Sequence, residues 1–192
     1  MRNNFIVLWM LVWVPVNTCT NKIYMKKITA YLNAADTTEK SKYLAADFHS
    51  FFISKETSGK NKSQALKSFQ NWDGPLHPDI TIISYSFRDN NWTVYFNEQN
   101  DFSKLIGFPG WKGTTTFVFN DDGLIQETMY APDSTNLSYK SYLQPAVQWL
   151  QKNMPAELSE VYKDGKLIQT EVTAIKWRIL LQQWQSQKEK IQ

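Results

Sequence analysis

The chain has 192 residues, of which 42% are hydrophobic and 20% are charged, and its formal net charge is +3. This composition predicts a globular protein with its own hydrophobic core and excludes a disordered chain. The net charge is too small for a nucleic-acid-binding protein, which needs a dense basic stripe, so we expect no nucleic-acid partner.

The N-terminus has the features of an export signal. Arg2 precedes an uncharged apolar run from Phe5 to Val16. A run of that length fits the apolar part of a signal peptide and is too short to span a bilayer comfortably. We therefore expect residues 1–18 to be a signal peptide, residues 19–22 to be a tether, and the protein to be exported.

The only cysteine, Cys19, lies three residues after this apolar run. A single cysteine cannot form an internal disulfide. Its position resembles that of the lipidated cysteine of bacterial lipoproteins, although Asn17 and Thr18 depart from the small residues usual there. We expect a lipid anchor at Cys19 that holds the protein in the cell envelope. The alternative is ordinary cleavage nearby, which would release a periplasmic protein.

Helices are predicted before the first strands. Apolar residues recur at helical period at Tyr24, Ile28, Tyr31, Leu32 and Ala35. Thr37 or Thr38 is expected to cap a short helix through Leu44, and an aromatic cluster (48–53) and a polar loop (56–62) follow. Ser63 is expected to cap a third helix that ends at Asp73-Gly74-Pro75.

The apolar period then changes to two, which predicts two hairpins. Apolar and polar residues alternate through 83–87 and 92–96, which predicts the first hairpin. The second hairpin is predicted over 114–119 and 124–130, where Asp122-Gly123 suits a tight turn. A glycine-rich loop, 100–113, joins the hairpins. Helices are predicted again over 142–154, 156–162 and 167–187. Pro145 is expected in the first turn of the first of these, and the inward positions of the last are Val172, Ile175, Ile179, Leu180 and Trp184.

Segregated helices and strands of this kind predict an α+β fold. The segments Tyr43-Leu44-Ala45-Ala46-Asp47 and Gln64–Phe69, and the hairpin around Asp122-Gly123, resemble the nuclear transport factor 2-like superfamily over residues 23–131. The resemblance includes SnoaL-like cyclases and steroid isomerases. It implies a curved antiparallel sheet wrapped around the N-terminal helices as a cone with one pocket. Residues 132–192 would form a C-terminal helical extension. Relatives often dimerise through the sheet, so a homodimer is also expected.

The resemblance does not carry over the isomerase mechanism. Ile28, Phe52 and Thr115 occupy the positions where steroid isomerases of this superfamily have their catalytic tyrosine and two aspartates. Other acid–base candidates are Asp47 and His49, which point the same way if the backbone is extended, and Glu127. The alternatives are a turn-capping Asp47, a surface His49 and a solvent-facing Glu127.

The expected pocket would be lined by Tyr31, Trp72, Tyr95, Trp111, Glu127 and Tyr130. The alternative is that these aromatic residues are ordinary core. The leading hypothesis is an envelope protein that binds a small apolar molecule. A pocket enzyme (hydrolase, dehydratase or isomerase) and a protein-interaction module are the alternatives. No metal or cofactor is expected, because the two histidines and the cysteine lie far apart in the sequence.

Overall fold

The computed structural model describes residues 18–52, 59–89 and 91–189. Residues 1–17 of the expected signal peptide and the Cys19 side chain, the expected lipidation site, lie outside the described part. None of the helices within the described ranges combines the length and the apolar character that crossing a membrane requires.

Helices flank a sheet in the chain order that the sequence predicts. The helices are α1 (Thr18–Leu32), α2 (Thr37–Ser41), α3 (Lys62–Ser68), α4 (Asp101–Ile106), α5 (Tyr139–Asn153), α6 (Pro155–Val161) and α7 (Glu171–Glu189). The strands are β1 (Leu44–Phe52), β2 (Lys60–Asn61), β3 (Asp79–Arg88), β4 (Asn91–Gln99), β5 (Trp111–Phe119), β6 (Ile125–Pro132), β7 (Tyr162–Lys163) and β8 (Lys166–Leu167). A π-helical turn (Phe69–Asp73) and a 3-10 turn (Gly74–Leu76) follow α3, and a second 3-10 turn (Ser134–Ser138) precedes α5.

The main sheet has the strand order β2-β1-β6-β5-β4-β3. Its pairs are antiparallel except β1 with β6, which is parallel. Both predicted hairpins are present, as β3–β4 and β5–β6. The predicted α+β class, with a curved open sheet and a C-terminal helical extension, is confirmed.

Strand β1 corrects two sequence predictions. The short helix α2 ends at Ser41, and Leu44 begins β1, so the expected helix through Leu44 is wrong. The described part of the aromatic cluster lies in the same strand. A register shift between Leu44 and His49 interrupts the period of two, which hides the strand from a pattern search.

Helix starts differ from the predictions because neighbouring side chains compete for the cap. Asp36 caps α2, with its Oδ1 accepting from the Glu39 N–H at 2.8 Å. Asn61, and not Ser63, caps α3 and forms a reciprocal capping box with Gln64. The predicted loop 100–113 contains α4, which ends at Gly107 with a φ of 75°.

One core lies between the sheet and α1. Alternation along β4 points Trp92, Val94 and Phe96 to the inner face. They pack with residues of α1, β1, β5 and β6, namely Ile28, Leu32, Leu44, Phe48, Phe117 and Ile125. The inner face of the sheet is therefore the concave wall of the fold.

A second core joins the C-terminal extension to α4. The buried hydrophobic residues of α7 are Ala174, Trp177, Leu180, Leu181 and Trp184. The inward orientation predicted for Val172, Ile175 and Ile179 is wrong, since these side chains are 72%, 39% and 47% exposed. The small side chain of Ala174 gives little hydrophobic signal, and the predicted stripe does not include Trp177. The predicted stripe therefore lies on a different side of the helix from the buried face. Pro145 lies inside α5, because this helix begins earlier, at Tyr139.

Candidate functional site

A cavity of about 530 Å³ lies between the inner face of the sheet and the C-terminal extension. Its walls are largely aromatic, and two carboxyl side chains open into it. The lining residues are Phe52, Trp72, Asp73, Phe96, Glu98, Asn100, Phe102, Trp111, Tyr130, Tyr139, Leu167 and Gln169.

The sheet places one carboxyl in this cavity by simple alternation. Glu98 continues the inward row of Trp92, Val94 and Phe96 along β4, two residues after Phe96. The Asn100 side-chain amide donates to Glu98 Oε1 at 3.3 Å. The same residue caps α4 by accepting from the Ser103 N–H at 2.9 Å. Because Asn100 is the N-cap of α4, the position of its side-chain amide, which donates to Glu98, is fixed by the start of this helix.

The neighbouring strands supply aromatic walls at the same level. Phe52 and Tyr130 are register partners across β1 and β6, and their ring centroids are 5.4 Å apart. Tyr130 also pairs with Thr115 across β6 and β5. The Tyr130 ring lies directly against Gly113, where a Cβ atom would clash with it. Glycine at this position allows the tyrosine to lie flat on the sheet.

The π-helical turn after α3 supplies the second carboxyl. Trp72 of this turn packs on Phe102 of α4, with ring centroids 5.9 Å apart. Asp73 is the next residue, and its side chain also lines the cavity. A π-helical turn inserts one extra residue into a helix and is frequent at functional sites.

The two carboxyl groups have pKa values close to neutrality. Burial raises the pKa of Asp73 from 3.8 to about 6, and the nearby Lys40 and Lys60 partly oppose this rise. Burial also raises the pKa of Glu98 from 4.5 to about 7, and the negative charge of Asp73 adds to the rise. The Asn100 hydrogen bond and Lys40 act in the opposite direction on Glu98.

Lys40 of α2 is buried close to this pair without forming an ion pair with it. Its Nζ donates to the Tyr31 carbonyl at 2.7 Å and lies 4.3 Å and 4.5 Å from the ring centroids of Tyr31 and Phe69. Burial lowers the pKa of Lys40 to about 8, against the influence of Asp73 and Glu98. Lys40 does not line the cavity, but its positive charge reduces the negative potential there.

The C-terminal extension closes the open side of the cavity. Tyr139, Leu167 and Gln169 are lining residues from this part of the chain, and Tyr139 packs on Trp111 at 5.0 Å between ring centroids. The extension is held in place by Trp177, whose ring contacts Phe102 at 5.7 Å and whose Nε1 donates to the Val161 carbonyl at 3.1 Å. The cavity is therefore shared by the sheet and the extension.

The sequence-predicted pocket residues divide into two groups. Trp72, Trp111 and Tyr130 line the cavity. Tyr31 is not among the lining residues and packs edge-on against Phe117 at 6.1 Å. Tyr95 alternates to the outer face of β4, where its hydroxyl donates to Asp133 at 3.2 Å.

The predicted acid–base candidates lie outside the cavity. Asp47 is exposed and accepts from the Gln126 amide at 2.8 Å, whereas His49 Nδ1 lies 2.8 Å from the Asp47 backbone oxygen. Glu127 is the register partner of His49 and of Val118, on the outer face. A register shift beside Glu127 separates it from the face of Ile125, with which the sequence pattern groups it. The Asp47 carboxylate therefore does not orient the His49 ring, and none of the three candidates lines the cavity.

Sequence reasoning missed Asp73, Glu98 and Lys40. Glu98 had a detectable signal, because it follows three inward apolar residues at a period of two. Asp73 was interpreted as part of a helix stop, and a π-helical turn has no sequence pattern that would correct this. Within the part of the chain that the structure describes, no group of three or more metal-ligating side chains is present.

Comparison with known proteins supports the fold. No family model and no curated protein matches the chain. Among solved structures, PrhC from Penicillium brasilianum is 11% identical, with a TM-score of 0.52 over 66% of this chain and 91% of that one.

Two further solved structures match at a TM-score of 0.44 each. A nuclear transport factor 2-like protein of unknown function from Cytophaga hutchinsonii is 9% identical, over 59% of this chain and 93% of that one. A ketosteroid isomerase from Mycobacterium sp. is 14% identical, over 57% and 89%. The match to PrhC concerns the fold alone and, together with the sheet order, supports an α+β fold built on a curved, open sheet.

Proposed function

We propose that the chain is an exported envelope protein, anchored by a lipid at Cys19, whose cavity binds a small and largely apolar molecule. The proposed export and anchor rest on the sequence pattern of residues 1–19. The proposed binding rests on the cavity between the sheet and the extension.

The observation that carries the binding proposal is the character of this cavity. Its volume of about 530 Å³ lies within the range of small-molecule sites. Trp72, Trp111 and Tyr130 provide apolar surface, and only a few polar groups converge on the space between them. An aromatic wall with a small number of oriented polar groups is the usual composition of a ligand pocket.

The experiment is native mass spectrometry of the purified protein. We expect a reproducible extra mass that leaves on denaturation and that identifies the bound molecule. The substitution Leu167→Trp, which fills the cavity from the extension, should remove this mass. The substitution Leu137→Trp, at a side chain that is 81% exposed in the same extension, is the matched control and should retain it. Equal retention by both variants would show that the molecule binds elsewhere.

A second candidate function is acid–base catalysis on the bound molecule. The specific observation is that Asp73 and Glu98 open into the same cavity with pKa values of about 6 and about 7. A carboxyl group that titrates near neutrality can both accept and donate a proton under ordinary conditions.

Deuterium exchange distinguishes catalysis from binding. An apolar ketone that occupies the cavity should exchange the hydrogens next to its carbonyl with heavy water faster in the presence of the protein. Glu98→Gln and Asp73→Asn should abolish this acceleration, and Glu127→Gln on the outer face should leave it unchanged. Binding without accelerated exchange would favour the binding protein over the enzyme.

A further inference from the structure

We propose that the molecule taken by this cavity is an organic cation: an ammonium group attached to an apolar body. The inference rests on the proposed binding function and specifies the chemical class of its ligand. The structural basis is the combination of two carboxyl groups with several aromatic rings around one cavity.

The aromatic rings form one part of this recognition site. The Trp111 ring packs at a tilt against Tyr139, with centroids 5.0 Å apart, Phe52 meets Tyr130 edge-on at 5.4 Å, and Tyr130 lies 6.0 Å from Phe96. All five rings line the cavity. The faces of such rings attract cations, most strongly when the cation has lost its water. An ammonium group enclosed here would therefore be favoured over a neutral group of the same size.

The two carboxyl groups form the other part. The described residues contain three ion pairs, which use Asp101 twice and Glu160 once, and none of them includes Asp73 or Glu98. Lys40 Nζ donates to the Tyr31 carbonyl instead of contacting either carboxylate. The cavity therefore holds two partly buried carboxyl groups that form no ion pair with a lysine, arginine or histidine of the described chain.

A bound ammonium would supply the direct partner that the two carboxylates lack. Lys40 and Lys60 lie near Asp73, but neither forms an ion pair with it or with Glu98. An anionic ligand would face two like charges, and a neutral ligand would leave the carboxylates without a cationic partner. Direct pairing therefore favours an ammonium over the other two classes.

The preference should depend on pH through the groups around the cavity. Asp73 is influenced by Lys40 and Lys60, and Glu98 by Asp73, Lys40 and the Asn100 amide, while Tyr130 lies opposite Glu98. Burial raises the pKa of Tyr130 to about 12, so this hydroxyl stays neutral. Protonation of the two carboxyls at about pH 5 should therefore remove the preference for a cation.

The test uses three molecules of matched length and different charge: phenylbutylamine, phenylbutanol and phenylbutyrate. Each competes with the neutral fluorescent probe phenylnaphthylamine for the purified full chain at about pH 8, where the amine is a cation and the carboxyls are ionised. We expect the amine to displace the probe at a concentration about tenfold lower than the alcohol, and the butyrate to be the weakest.

Variants test which residues cause the preference for the cation. Asp73→Asn and Glu98→Gln should each bring the alcohol and amine concentrations that displace the probe close to equality. Asp47→Asn and Glu127→Gln on the outer face should preserve the difference between these concentrations. Equal displacement by amine and alcohol, or strongest displacement by butyrate, would overturn the cation proposal and leave the binding function intact. Failure of the probe and of all three molecules to bind would instead contradict the proposed function itself.

Discussion

Asp73 and Glu98 open into the same cavity from different elements, the first from the π-helical turn after α3 and the second from the inner face of β4. Neither residue is among the ion pairs of the described chain. Each raises the local negative potential for the other, and an aromatic wall surrounds both. This relationship underlies both the proposed ligand class and the second candidate function.

The first prediction concerns stability and pH. The pKa of Glu98 is higher in the folded protein, about 7, than its ordinary value of 4.5. Its contribution to stability is therefore fully present below the ordinary pKa and is lost as pH rises through the folded pKa. The difference in the free energy of unfolding between Glu98→Gln and wild type should therefore shift in favour of the variant by roughly 1–3 kcal/mol as the pH rises from about 5 to about 8.

Urea denaturation at several pH values measures this difference. Asp73 should also make stability fall as the pH rises, since its pKa is raised as well. Lys40 acts in the opposite direction: because its pKa is lowered to about 8, stability should rise with pH between that value and its ordinary pKa. Glu127→Gln is the control and should follow the wild-type profile. A Glu98→Gln profile parallel to wild type would show that Glu98 does not titrate in this range.

The second prediction concerns attachment of the extension. Trp177 is fully buried, its ring packs against Phe102 of α4 and Tyr162 of β7, and it donates to the Val161 carbonyl of α6. Trp177→Ala should lower the free energy of unfolding by about 3–5 kcal/mol, because it leaves a large cavity in the second core. It should also weaken binding of the probe, because Leu167 and Gln169 would lose their support. Unchanged probe binding in a destabilised but folded variant would separate the extension from the site.

The third prediction concerns the start of α3, which precedes the π-helical turn. Asn61→Ala should lower the free energy of unfolding by about 1 kcal/mol, since it removes the bond from the Gln64 N–H to the Asn61 side chain, while the backbone N–H of residue 61 can still donate to Gln64 Oε1. Ser63→Ala, at the cap position that the sequence favoured, is the matched control and should cost much less. Chemical denaturation of the two variants compares them directly, and the reverse order would contradict the cap assignment.

The fourth prediction concerns the proposed anchor. Mass spectrometry of the protein from membranes of a bacterial expression host should show acyl chains on an N-terminal Cys19. Cys19→Ala should lose this mass and move to the soluble envelope fraction, because the lipid chains supply the binding energy for the membrane. An unmodified cysteine, or unchanged membrane association of the variant, would favour ordinary cleavage.

The sequence predicted the fold better than the site. The strands β3 to β6 are evident because Trp92, Val94 and Phe96 alternate without interruption and Asp122-Gly123 suits the second turn. Strand β1 is not evident, because its register shift breaks the alternation and its parallel pairing with β6 is a long-range contact. A single sequence carries no direct signal of such pairing.

The site depended on features that local patterns do not encode. Trp72, Trp111 and Tyr130 line the cavity, as expected, although they come from different elements: the π-helical turn, β5 and β6. Glu127 was placed on the inner face by an alternation that a register shift interrupts. Asp73 and Lys40 are brought near each other by tertiary packing alone. Neither their proximity nor their shifted pKa values could therefore be predicted from their spacing in the sequence.

The most direct test of the central claim, that the cavity between sheet and extension is a binding site, is the stoichiometry of phenylnaphthylamine binding to the purified chain. We expect one probe per chain for wild type and for Leu137→Trp, and none for Leu167→Trp with an unchanged circular dichroism spectrum. If Leu167→Trp bound the probe as wild type does, or if wild type bound none, the cavity would not be the binding site.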